Sequence, residues 1–453
     1  MGSRKRQNRK EEKITRRDFI GRAALGTAGI MIVPRHVLGG RGYVAPSDKL
    51  NIACVGVGGQ GVHDVEGVSS ENIVALCDVD DERAAEMYEK FPQAKKYDDF
   101  RVMLEKENKN VDAVTVTTPD HTHAVIAMMA IKMKKHVYVQ KPLTHTIYEA
   151  RKLAEAARDY NVVTQMGNQG HASEGARLIN EWIWDGAIGN VYEAHCWTNR
   201  PIWPQNIKRP DTLPSLPPTL NWNLWVGPAP WRPYHPAYAP FAWRGWWDFG
   251  TGAIGDMGAH IMDQPFWALK LDAPDTVQAS STEFNDETYP IASNVTFTFP
   301  ARGNMGPVKL VWHDGGLMPC RPAELENARM MGSQEGGTLF IGDKGKLMCS
   351  TYAENPRLIP ESKMQEYTLP AKTIPRSPGI REEWIAACKG GPPTTSNFDY
   401  AGKLTETMLL GNLAIRLKER NTILQWDSVN LRVTNLDEAN EFIHIKYQKG
   451  WEL

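Results

Sequence analysis

The feature that most constrains this chain is a short apolar run, residues 50–57, that passes into Gly56-Val57-Gly58-Gly59-Gln60-Gly61. A strand ending in closely spaced glycines can turn tightly, let its backbone approach a pyrophosphate, and pack the next helix close against itself. The N-terminus of that helix offers unpaired N–H groups and a positive dipole end to phosphate. A second apolar run, residues 73–76, ends at Asp78, twenty-two residues after Gly56. An acid at that distance accepts from ribose hydroxyls and repels a 2′-phosphate, which favours NAD over NADP. Gly56, Gly58, Gly59, Gln60, Gly61 and Asp78 are therefore the first candidate cofactor contacts.

The pattern then alternates. Residues 111–117, 136–139 and 162–166 read as strands, and 121–134 and 146–160 as helices, the signature of a doubly wound parallel sheet. Ligands of such sheets sit beyond the carboxyl ends of the strands. Two segments fall there: Thr117-Thr118-Pro119-Asp120-His121-Thr122-His123 and Gln140-Lys141-Pro142. His121 and His123 lack further clustered metal ligands, so no metal is expected.

Composition shifts after residue 166. Eleven of the fifteen Trp lie between Trp182 and Trp267, and eleven of the thirty Pro between Pro201 and Pro240. Proline at this density excludes regular helix or sheet and predicts a long, rigid loop pinned by aromatic packing. Aromatic faces beside polar groups also suit a sugar ring, so Trp243 and Trp246 are candidate substrate contacts; a small aromatic core under the loop is the alternative. Residues 250–260 follow, and on a helix Asp256 and His260 share one face. An imidazole accepts protons near neutral pH, and a carboxylate one turn away can orient it. Residues 294–299, 308–312, 337–341 and 346–350 read as antiparallel strands, and 380–388 and 400–417 as helices. The expected fold class is α/β: a Rossmann domain (46–165), then a C-terminal α/β domain (166–453) with an open, largely antiparallel sheet and a helical C-terminal part whose face is a candidate for subunit contacts.

Residues 1–45 read as an address. They carry eleven basic and three acidic residues and include Thr15-Arg16-Arg17-Asp18-Phe19-Ile20 before a weakly apolar stretch, the layout of a twin-arginine export signal. The apolar stretch is short and glycine-interrupted, so no stable membrane anchor is expected. The chain total of −1 leaves −9 for the remainder once the +8 of this segment is set aside. An acidic body argues against nucleic-acid binding, which needs a positive field. A twin-arginine route carries folded proteins, so the expectation is an exported, periplasmic protein that collects a cofactor before passing through that machinery. The six cysteines show no metal-type pairing and read as structural.

Together, the glycine run, Asp78, Thr118-Pro119-Asp120-His121-Thr122-His123, Gln140-Lys141-Pro142 and Asp256-x-x-x-His260 resemble the Gfo/Idh/MocA oxidoreductases from about residue 48 onward. The resemblance implies NAD(P)-dependent chemistry on sugars and cyclitols, a Rossmann domain joined to an α/β domain, and assembly into homo-oligomers. It implies that Lys141 sits near the reacting hydroxyl and that Asp256 and His260 are the acid and the proton-transferring imidazole. It also implies that Thr118, Pro119, His121, His123 and Gln140 adjoin the cofactor. Gln140 stands where the family's motif has Glu. His171 and Arg200 are further candidate substrate contacts. Three activities fit: hydride transfer between a carbohydrate hydroxyl and tightly held NAD, redox-neutral glycoside cleavage through a transient keto-sugar, and non-catalytic sugar binding.

Overall fold

Residues 48–453 are described by the structure, a computed structural model. The export-signal segment, residues 1–45, lies outside the described residues. The chain enters β1 (Asn51–Val55), continues through α1 (Gln60–Gly67), β2 (Asn72–Cys77), α2 (Asp81–Lys90), β3 (Lys95–Tyr97) and α3 (Phe100–Glu107), and then through β4 (Ala113–Val116), α4 (Asp120–Lys132), β5 (His136–Val139), α5 (Ile147–Asp159) and β6 (Thr164–Met166). The six strands pair in parallel in the order β3-β2-β1-β4-β5-β6. That is the Rossmann order, whose central strands are covered on both faces and so are apolar without alternation. Every residue of β4 is buried, for example. Helix starts are encoded locally: the Asp80 carboxylate accepts from the Glu82 N–H, and Thr146 with Glu149 forms a capping box at α5.

The second half contributes α6 (Glu174–Trp184), β7 (Val191–Thr198), the short α7 (Trp222–Val226), α8 (Gly252–Ile261), α9 (Asp263–Ala268), β8 (Thr276–Ser281), β9 (Ser293–Phe299) and β10 (Val308–His313). It continues with β11 (Gly336–Gly342), β12 (Lys346–Ser350), β13 (Arg357–Ile359), α10 (Glu361–Glu366), α11 (Ile380–Cys388), α12 (Phe398–Arg416), β14 (Leu424–Asp427) and β15 (Arg432–Val433). Nine strands form one sheet in the order β13-β12-β11-β7-β10-β9-β8-β14-β15. Only β7 and β10 pair in parallel. Helices α8 and α12 pack against this sheet, and α12 also packs on α5. Helix α12 is buried along almost its whole length and forms the seam between the two sheets.

Residue 165 lies within β6, and the packing crosses it. Helix α11 returns to the Rossmann side, where Ile380, Trp384 and Ile385 join the core containing Ile52, Cys54 and Tyr138. Arg381, on the same helix, reaches the buried Asp64 carboxylate of α1 through two N–H groups, at 2.9 and 2.6 Å. The proline-rich stretch is largely irregular, as its composition predicts, and folds around its own aromatic cluster of Trp222, Trp225, Tyr238, Trp243, Trp246 and Phe249. No helix among the described residues is long and apolar enough to cross a membrane.

Candidate active site

The strand ends of the Rossmann sheet open into a cavity of about 1040 Å³. Gly56, Gly58, Gly59, Gln60 and Asp78 line one part of it, and Lys141, Asp256, His260, Trp243, Arg244 and Tyr352 line another. The glycines are dictated by space. Gly56 has φ +75, and a Cβ there would lie 2.5 Å from the Thr117 carbonyl oxygen; a Cβ on Gly61 would lie 2.0 Å from the Gly56 carbonyl oxygen. Gly61 thus supports the cavity from behind, while Gly59 opens α1 with no side-chain cap. The uncapped first turn and the cradle that any side chain would fill fit a pyrophosphate. The Asp78 carboxylate accepts from the Val57 and Gly58 N–H groups, at 2.8 and 3.1 Å, which holds the loop in shape. Burial raises its pKa against those bonds.

Thr118, Pro119 and Gln140 line the cavity, but His121 and His123 do not. Both imidazoles are buried behind the wall. The ring nitrogens of His121 lie 3.2 Å from the Phe249 carbonyl oxygen and 2.9 Å from that of Trp225. Those of His123 lie 2.8 Å from the carbonyl oxygens of Pro142 and of Thr118. The expected cofactor role therefore becomes a bracing one: His121 ties the aromatic segment to α4, and His123 ties the Lys141 loop to the Thr118 loop. Among the described residues no His, Cys, Asp and Glu cluster is arranged to hold a metal.

Gln140 is explained by its partner. Its side-chain Nε2–H donates to Asp64 Oδ2 at 2.8 Å, and the Thr117 hydroxyl donates to the same oxygen at 2.8 Å. A carboxylate at position 140 would face a second carboxylate, whereas an amide donates to it.

At the other end of the cavity, Lys141 Nζ donates to Asp256 Oδ1 at 2.8 Å and to the Asp256 backbone oxygen at 2.9 Å. Arg244 Nε stands 3.4 Å from the same carboxylate. Burial alone would raise the Asp256 carboxyl, but Lys141 and Arg244 outweigh it and hold the pKa at about 2. His260 shares the helix face with Asp256 yet makes no hydrogen bond to it; its Nδ1 is buried without a partner, and the ring meets Tyr352 edge-on at 4.9 Å. The expected Asp256–His260 pair is thus replaced by Asp256–Lys141, because the ammonium of Lys141, just past the end of β5, bonds the carboxylate of α8. Burial, with the nearby Lys141 charge, lowers the His260 pKa to about 3, so the imidazole is neutral at ordinary pH.

Other candidates divide. Trp243 lines the cavity, with Arg244 over its ring at 4.2 Å. Trp246 does not: it is fully buried, and its indole N–H donates to the Ala237 carbonyl. His171 is buried between Asp263, at 3.0 Å, and the stacked Trp267 ring, and its neighbours Gln169, Gly170 and Ser173 line the cavity in its place. Arg200 lies outside the lining, 4.0 Å from Asp256 and 3.6 Å from Glu335. Sequence reasoning missed Arg244, Tyr352 and the role of Asp120. Asp120 lines the cavity, accepts from the Thr251 hydroxyl at 2.6 Å, and has its pKa raised to about 6 by burial. Arg244 was signalled only by its place among tryptophans, and Tyr352, in a turn after β12, carried no signal.

Fold and cavity together are those of a dinucleotide-binding Rossmann protein. The family model described as "Oxidoreductase family, NAD-binding Rossmann fold" matches residues 50–168, and the one described as "Oxidoreductase family, C-terminal alpha/beta domain" matches residues 195–303. The chain belongs to this family, the Gfo/Idh/MocA oxidoreductases. It is 24% identical over 188 residues to levoglucosan dehydrogenase of Pseudarthrobacter phenanthrenivorans, covering 42% of this chain and 40% of that protein. It is 27% identical over 158 residues to myo-inositol 2-dehydrogenase of Thermotoga maritima, covering 34% and 47%. The chain therefore spans less than half the length of these two relatives. The WlbA dehydrogenase of Bordetella pertussis, solved with NADH and UDP-GlcNAcA, shares the fold with a TM-score of 0.58 at 16% identity, over 84% of this chain and 99% of that one.

Proposed function

We propose that this protein transfers a hydride between a hydroxyl-bearing carbon of a carbohydrate (a sugar, glycoside or cyclitol) and a tightly held NAD. The carrying observation is the meeting of Lys141 and a neutral His260 on the wall of the cavity that also contains the glycine loop. Bound there, NAD would supply the hydride-accepting group. In the oxidising direction the His260 imidazole would take the hydroxyl proton while that group accepted the hydride of the carbinol carbon. Lys141 stabilises the negative charge that develops on the oxygen, and Asp256 holds the Lys141 ammonium in place. The dehydrogenase names of the relatives support a carbohydrate hydroxyl as the reacting group. The twin-arginine pattern at Arg16-Arg17 supports export, and the nine-stranded sheet supports assembly of copies of this chain, both as parts of this proposal.

The test is product analysis. NAD-loaded protein is incubated with a panel of sugars, glycosides and cyclitols, and products are separated by mass. A keto product lacking two hydrogens is expected from at least one of them. Release of an aglycone with no net oxidation would replace this reading with redox-neutral cleavage, and binding without any product would leave a sugar-binding protein.

A further inference from the structure

The composition of the proline-rich segment points it toward a sugar ring, but part of it crosses the nucleotide half of the cavity. Directly after Asp78, the backbone of residues 79–81 pairs with that of residues 219–221. The Asn221 N–H donates to the Val79 carbonyl at 2.7 Å, the Asp81 N–H donates to the Thr219 carbonyl at 3.1 Å, and Leu220 forms an antiparallel bridge with Asp80. The Asn221 side chain also reaches Asp98 at 3.4 Å. On the far side, α7 stacks Trp222 on Trp225 with centroids 4.7 Å apart, and His121 fixes the Trp225 carbonyl to α4. Pro217, Leu220, Leu224 and Trp225 thereby share a cavity wall with Asp78 and Arg83. An acid at the end of β2 is where the adenosine ribose binds. The segment is thus a strap fastened to the Rossmann domain on both sides of that position.

We infer that residues 217–225 hold the adenosine half of NAD in place and make it a resident group rather than one exchanged at each turnover. This rests on the NAD reading above and assigns the tight retention to particular residues. Release of the nucleotide requires the strap to lift, and lifting breaks the two backbone hydrogen bonds and opens the apolar wall. Asn221 has φ −82, close to what proline adopts, and follows a residue in a bridge, so Asn221→Pro deletes the N–H that bonds Val79 with little backbone strain. Asn221→Ala keeps that N–H and shares the loss of the side chain that caps α7.

The experiment mixes the NAD-loaded full chain with excess isotopically labelled NAD and follows incorporation by mass after rapid desalting. The wild type is expected to exchange over minutes or longer. Asn221→Pro should exchange about tenfold faster than Asn221→Ala, the worth of one backbone hydrogen bond. Complete exchange of the wild type within seconds, or equal rates for the two variants, would overturn the strap while leaving hydride transfer intact. If Asn221→Pro does not fold, the wild-type exchange time alone decides. A chain that binds no NAD in equilibrium dialysis would overturn the NAD reading itself.

Discussion

Replacing Gln140 by Glu, the residue of the family's motif, should destabilise this protein in a pH-dependent way. Gln140 Nε2 lies 2.8 Å from Asp64 Oδ2 in a buried setting. Two carboxylates at that separation repel by roughly 6 kcal/mol at an effective dielectric of about 20. Protonating the new Glu is cheaper, because from an ordinary value of about 4.3 it costs roughly 3.7 kcal/mol at pH 7 and about 1 kcal/mol at pH 5. The protonated acid then donates to Asp64 as the amide does. The folded-state pKa of the new Glu is raised above its unfolded value, so the loss is small below about pH 4.3 and grows as pH rises. Arg381, already paired with Asp64 Oδ1, shares its charge with the new group and makes 3.7 kcal/mol an upper bound. Urea melts of wild type and Gln140→Glu at pH 5 and pH 7 measure this directly. The destabilisation should be larger at pH 7 by up to about 2.7 kcal/mol; equal losses at the two pH values, or none, would refute the Asp64 explanation for Gln140.

Lys141→Ala and His260→Ala should each lower turnover by about 10²-fold or more while NAD still binds, read by steady-state rates beside nucleotide titration. Near-normal rates in both would place the chemistry elsewhere. The folded His260 refuses a proton that the unfolded chain accepts at its ordinary 6.5, so its contribution to stability is full above that value and is lost as pH falls toward about 3. Between pH 7 and pH 5 the wild type should lose about 2 kcal/mol more stability than His260→Gln in paired urea melts. Trp246→Ala should cost about 3–5 kcal/mol in the same melts, because it empties the centre of the aromatic cluster.

What could be read from the sequence followed local rules. The glycine loop and Asp78 depend on spacing within a single βαβ unit, and the strands carry the unbroken apolar runs of a covered parallel sheet. Lys141 was legible because a residue directly after a buried strand falls at the rim of such a sheet. The rest was set by partners distant in the chain. Helical spacing places Asp256 and His260 on one face, but nothing in that spacing says that Lys141, 115 residues earlier, takes the carboxylate. His121 and His123 open α4 at what looks like a ligand rim, yet the Phe249 and Trp225 carbonyls, 128 and 104 residues away, claim the His121 ring. Gln140 looked like a lost acid until Asp64 and, 317 residues beyond Asp64, Arg381 were seen beside it. The proline-rich stretch announced an irregular, aromatic fold, but not that its backbone would pair with the end of β2.

The central claim is hydride transfer at Lys141 and His260, and near-ultraviolet absorbance of the NAD-loaded protein tests it most directly. On mixing with the panel of carbohydrates, one class should raise the band of reduced nicotinamide in wild type, and the same carbohydrate should raise it far more slowly in Lys141→Ala and His260→Ala. Equal rates in all three proteins, or a spectrum that no carbohydrate changes while NAD stays bound, would contradict the account.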